Sequence, residues 1–402
     1  MGKGTIWPAE WSTYSDRITG IEVRQLTNYK THSYHLYFTE GGWYDGDRRL
    51  LLMSDRGNST NLYSLDRDSG EILQLTDLKD NDYMDACLNP VKKEAFFKFG
   101  RGITRLNLET LEEELLYTAP EGFNIGNLSC TADGKYVMTC IQEDLSRRIR
   151  LDLGNGYVGH RELMEASPLS RIIAVEAGSG TAETIHEEHA FITHINASPV
   201  LPWLITYCHE GPWHLVDHRI WGLDLRTGSA WKIRERLEPR EKVGHEFFYP
   251  DGETIGYHGF REDGTNFHGR IKYDNSGMEE TDFAFDTWHS HADGLGQAVV
   301  DGKGPVKNLC VWRKTDGKWQ GPRVLCELRC SFHSQKVHAH PRFSADGSRL
   351  LFTSDKNGYA NLYEVQLPLN FEELPELELA EIKLTGTTRA NTKHPDTKIL
   401  NA

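Results

Sequence analysis

The stretch "SQKVHAHPRFSADG", Ser334 to Gly347, sets Gln335, His338 and His340 just ahead of an Asp-Gly turn. Alternate residues of a strand share a face, so the two imidazoles would stand side by side with an amide oxygen close by. Imidazole ligands suit a divalent transition metal, while an amide oxygen and water pull toward harder ions such as manganese. A ligand set without carboxylate or thiolate leaves the ion positively charged, as a Lewis acid gripping an anionic substrate requires. The bland reading is a water-bonded polar strand. Further histidines recur at comparable places. His245 precedes the turn at Asp251, and His289 and His291 precede the turn at Asp293. An imidazole titrates near working pH, so His245 could serve as a general base. "CHEGPWHLVDHRIW" adds His209 and Arg219, the latter able to clamp a carboxylate with its planar fork. His32 and His35 precede the first turn and are read as structural or substrate-lining. "HEEHAFITH", with His186, His189 and His194, has the wrong spacing for a helical zinc motif.

The element that must position these residues is a repeat. "WYDGDRRLLLMSDRGNSTNLYSL" from Trp43 and "FSADGSRLLFTSDKNGYANLYEV" from Phe343 are one unit written twice. Each reads as a strand, an Asp-Gly hairpin turn, an apolar strand, a second turn and an "NLY" strand. Weaker copies turn near Asn89, Asp133, Ser198, Asp251 and Asp293, which makes seven turns in all. A period of about 40–50 residues with several strands in each unit predicts a β-propeller. The expectation is an all-β, seven-bladed propeller of four-stranded antiparallel blades, one domain over residues 1–402. A strand over about 21–27, in the motif "EVRQLTN" from Glu22 to Asn28, should close the last blade, with "EIKLTGT" near the C-terminus as its rival. An insertion is expected over 153–185, lying across one face. The first strand of each blade lines the channel, so the histidines of the last three blades point at one axis.

The bulk properties narrow the partners. The chain has 402 residues and a formal net charge of −14, which argues against non-specific nucleic-acid or anionic-membrane binding. An acidic ligand must therefore be short and held by a local basic or metal site. There is no apolar run long enough to span a membrane and no apolar leader, so a cytoplasmic protein is expected. The seven cysteines are scattered without a Cys-x-x-Cys pair, which argues for reduced, buried thiols.

The opening "GKGTIWPAEWSTYSDRITGIEVRQLTNYKTHSYHLYFT", "CHEGPWHLVDHRIW" and "QKVHAHPRFSADGSRLLFTSDKNGYANLY" resemble the oligogalacturonate lyases, seven-bladed propeller polysaccharide lyases of pectin degradation. "CHEGPW" and Gln-x-x-His-x-His are the specific parts of the match. The resemblance implies Mn2+, or another divalent ion, held by three histidines and a glutamine. Gln335, His338 and His340 match three of the ligands. The remaining imidazole should come from the preceding blade, His289 or His291, with the expectation leaning to His291. The resemblance also implies His245 as the proton-abstracting base and Arg219 as the group that holds the enolate-like intermediate. His209, Arg219 and His35 are the expected substrate contacts. The implied reaction is β-elimination on a short oligouronate such as digalacturonate, which needs no paired carboxylates. A non-catalytic TolB-like binding module and a lyase for another uronate are the rival readings.

Overall fold

A computed structural model describes residues 2–153, 157–283, 285–302 and 306–378. The described strands fall into seven antiparallel sheets arranged as the blades of a propeller, numbered 1 to 7 along the chain. The fold is all-β, and the one α-helix among the described residues is His160–Glu165. Blade 3, for example, runs Phe123–Cys130, Tyr136–Glu143, Leu169–Glu176 and Ala182–His189 from the channel outward. The middle strands are near-continuous buried runs, so both faces of each blade bury side chains against its neighbours. The core is accordingly split into seven inter-blade clusters, one at each junction around the ring.

One of these clusters holds the two chain ends together. Glu22–Gln25 pairs with Asn361–Gln366 in blade 7, with Val23 opposite Val365. Ser12–Ser15 lies outside it in the same sheet. Blade 7 thus combines N-terminal and C-terminal strands, and Trp7 and Leu26 pack with Leu351 and Leu362 across the junction to blade 1. The "EIKLTGT" segment lies outside the described residues.

The segment expected as an insertion over 153–185 is differently divided. Leu169–Glu176 and Ala182–His189 are the third and fourth strands of blade 3. The extra chain is instead the long connection from Asp144 to Pro168, and it contains the helix. It carries a small core of its own, in which Leu145 and Leu163 pack on Phe191 with Ile149 and Met164 alongside.

The channel strands are not regular. In blades 3 to 6 the pairing between first and second strand slips at the same depth, at Ile125/Leu128, Thr193/Asn196, Gly244/Phe247 and Thr287/Ser290. Such bulges re-aim side chains that strict alternation would place elsewhere. His194 and His245 sit in two of them with φ of 51° each, a conformation unusual for a side chain of this size. In blade 7 the equivalent segment is no strand. Gln335–Val337 forms a 3-10 turn, His338 is extended, and His340 has φ of 43°.

Candidate metal centre and active site

The bulges and the irregular blade-7 segment converge on one cavity of about 550 Å3 at the mouth of the channel. His289, His338 and His340, all buried, present ring nitrogens that lie within 4.8 Å of one another. Gln335 lines the same cavity, next to the two blade-7 histidines. His291 does not join them. Its ring stacks on Phe247 at 5.0 Å, and its Nδ1 is buried without a partner. The leaning toward His291 is therefore corrected. The slip between Thr287 and Ser290 turns His289 into the cavity, whereas His291 resumes the strand and faces the neighbouring blade.

These residues fit a bound cation. The Nδ1–H of His289 donates to Asp301 at 2.7 Å, which leaves the Nε2 lone pair for a ligand. A carboxylate behind a histidine is the usual arrangement for fixing a metal ligand. His340 Nε2 is buried with no hydrogen-bond partner. Burial, followed by the neighbouring rings, holds His289 and His340 well below the ordinary imidazole range, and burial, against the Asp301 charge, takes His338 down to about 4. All three are thus neutral, the form that coordinates a metal. Asp301 is pushed up to about 6 by burial, against the pull of the His289 backbone N–H.

His245 lies beside this cluster, its ring 4.7 Å from that of His289. Its Nδ1 is 2.8 Å from His258 Nε2, and Trp213 meets it edge-on at 4.9 Å. Gly244 makes room for that indole, since a Cβ there would come within 2.7 Å of Trp213. Burial, then His289 and His258, keep the His245 imidazole neutral far into acid. His258 Nε2 also lies 3.0 Å from the Trp288 carbonyl, which can only accept, so this nitrogen carries a proton and faces His245 Nδ1 as a donor.

Arg219 also lines the cavity, though largely buried behind Trp213. Its Nη1 donates to Glu210 at 2.7 Å, and Glu246 lies 3.5 Å from its Nε. Glu210 further accepts from Thr193 and from the Gly211 backbone, and it meets His160 and His194 at 3.2 Å each. Burial opposes the Glu210 charge, but Arg219, His160 and His194 overcome it and hold the carboxyl well below its usual range.

Two expected substrate contacts lie elsewhere. His209 is outside the cavity lining, with Nδ1 on Asp217 at 2.6 Å and Nε2 on Glu188 at 3.2 Å. It braces the "CHEGPW" loop. His35 is buried beneath the blade-7 histidines, its Nδ1–H on the Leu36 carbonyl at 2.7 Å and its Nε2 facing the Ala339 carbonyl at 3.3 Å.

Sequence reasoning missed Tyr157, His160, His258 and Trp288 as cavity residues, and it set His194 aside. Tyr157 stacks on Trp288 at 6.3 Å, and Trp288 in turn lies 5.8 Å from His338. Gly211 has φ of 145° and its position abuts Met164 of the helix, so the glycine of "CHEGPW" admits the long connection. That glycine was the available signal that something packs on the loop.

Comparison with known proteins shows what the chain is similar to. The family model described as oligogalacturonate lyase matches residues 1–279. The chain is similar to the oligogalacturonide lyase of Pectobacterium atrosepticum, 28% identical over 401 residues, covering 92% of this chain and 99% of the relative. The oligogalacturonate lyase of Dickeya dadantii is 26% identical over 395 residues, with the same 92% and 99% coverage. A solved oligogalacturonate lyase in complex with manganese superposes with a TM-score of 0.83 at 25% identity, covering 92% and 99% of the two chains. The fold is shared as well with an oligogalacturonate lyase of Vibrio parahaemolyticus, with a TM-score of 0.82 at 24% identity over 91% and 99%.

Proposed function

Because this chain belongs to the oligogalacturonate lyase family, we propose that it cleaves short oligogalacturonates, such as digalacturonate, by manganese-assisted β-elimination. The observation that carries the reading is the neutral His245 imidazole set 4.7 Å from His289 of the three-histidine cluster. His289, His338, His340 and Gln335 would hold the ion, and the choice of manganese is supported by the solved relative that contains it. When bound, the ion supplies Lewis-acid polarisation of the uronate carboxylate.

The protein's own groups do the rest. His245 takes the proton from C5, the carbon bearing the carboxylate. Its contact with His258 and the Trp213 edge fix the ring plane. Arg219, held rigid by Glu210 and Glu246, offers its cation where negative charge gathers on the carboxylate and C5. Preorganised charge of this kind is commonly the largest contribution to catalysis. The C4–O bond then breaks, C4=C5 forms, and the freed sugar hydroxyl takes up a proton. No water attacks carbon, so no hydrolytic carboxylate pair is needed.

A cytoplasmic setting is part of the proposal. It is supported by seven cysteines that are all buried and unpaired, in keeping with a reducing compartment. No helix among the described residues is long and apolar enough to cross a membrane.

The test is the His245→Ala variant. It should lose turnover by on the order of a thousandfold, a typical scale for removing a general base, while retaining bound manganese. A variant that still turns over at near wild-type rate removes His245 from the proposed role.

A further inference from the structure

The mouth of the cavity is built from three separate pieces of chain. The long connection of blade 3 brings Tyr157, His160 and Arg161, the "CHEGPW" loop brings His214, and the start of the blade-5 channel strand brings Lys242. The connection is firmly seated. Leu163 is anchored in the satellite core, His160 is bound to Glu210, and Tyr157 is stacked on Trp288. Arg161 is thereby held at the rim rather than free to wander.

The rim is strongly basic on a protein with a net charge of −14. Burial and then Lys242, Arg240, Arg236 and Arg161 together push the His214 imidazole down, so all four cations act on this one place. Lys242 is exposed and has no carboxylate partner among the described residues. Arg161 is paired only with Glu165 on its own helix at 2.6 Å, and both side chains are exposed. An exposed pair of this kind is readily exchanged for a better partner.

The charges inside the cavity point the same way. Even the shortest oligouronate carries two carboxylates. The reacting sugar takes the histidine cluster and Arg219, and the cavity wall adds carboxylates of its own in Glu210 and Asp286. A second carboxylate drawn in without a cation would carry an uncompensated desolvation cost. The remaining cations on the cavity wall are Arg161 and Lys242.

We propose that Arg161 and Lys242, which line the same cavity as His214, form the subsite for the carboxylate of the neighbouring uronate, the sugar that does not undergo elimination. The subsite rests on the lyase reading above and deepens it. It makes the blade-3 connection a determinant of specificity and selects free acids over esters at that sugar.

The experiment compares digalacturonate with its monoester, methylated on the non-reacting residue, for the wild-type protein and for R161Q, K242Q and R161Q/K242Q. Manganese content serves as the check on folding. The wild type should prefer the diacid by on the order of tenfold in kcat/KM, the scale of one charge-assisted contact at a partly exposed site. R161Q/K242Q should show a KM for the diacid raised by a similar factor, kcat within about twofold, and no preference left. R161K and K242R should keep the preference. A wild type indifferent to the ester, or a double variant that retains full discrimination, overturns the subsite while leaving the lyase reading intact. A wild type that yields no unsaturated product from either sugar overturns both.

Discussion

At the scale of single residues, the account turns on which imidazole completes the cluster. His289→Ala should abolish stoichiometric metal binding, whereas His291→Ala should keep it at some cost in stability from lost packing on Phe247. Elemental analysis of the two purified variants decides the matter. His338 and His340 were legible in sequence because Gln-x-x-His-x-His sits on one continuous segment. His289 was not separable from His291, because residues two apart share a face on a regular strand and the slip that parts them leaves no mark in "TWHSHADG". His209 makes a different prediction. Burial lowers its pKa, but Asp217 and Glu188 outweigh that and raise it to about 9. A raised folded pKa gives stability that is fully present below the unfolded value of about 6.5 and is lost as pH climbs through about 9. Asp217 is mostly exposed, so the contribution is discounted to on the order of 1 kcal/mol. Thermal melts between neutral pH and the alkaline side of that transition should show the loss in wild type, and His209→Gln should flatten it.

At the scale of elements, the ring depends on the N-terminal strands of blade 7. Removing residues 1–27 takes away Glu22–Gln25 and exposes the edge of Asn361–Gln366. It also removes Trp7 and Leu26 from the blade 7–blade 1 junction and Glu10 from its pair with buried Arg56 at 2.8 Å. Loss of several buried groups at once should lower the melting temperature by on the order of 10 °C or more and promote edge-to-edge association. Calorimetry with light scattering would show both. The blade repeat was the most legible feature of the chain, because Asp-Gly turns and apolar alternation are local signals. The long connection was misplaced toward 185 because it separates "LSRIIAVE" and "AETIHEEH" from the Asp-Gly hairpin that marks the first two strands of the blade, although they pair as ordinary outer strands. His160 and His258 were illegible for a related reason. One sits on a connection and the other on a second strand, and both reach the cavity only through tertiary packing.

At the scale of the whole molecule, a chain with a net charge of −14 carries a mouth lined by Arg161 and Lys242. A long polyuronate must lay more of its charges along the acidic body than a dimer does. Turnover per bond should therefore fall with chain length at low ionic strength, and the gap should narrow as salt screens the repulsion. Steady-state assays on substrates of defined length would measure it. The central claim, metal-assisted β-elimination of a short oligogalacturonate, is met most directly by following the ultraviolet absorbance of the conjugated C4–C5 double bond. The protein is incubated with digalacturonate and manganese, with and without a chelator. The account predicts a steady rise that the chelator stops and that added manganese restores. No rise on any oligouronate tried, or a rise indifferent to the chelator, would contradict it.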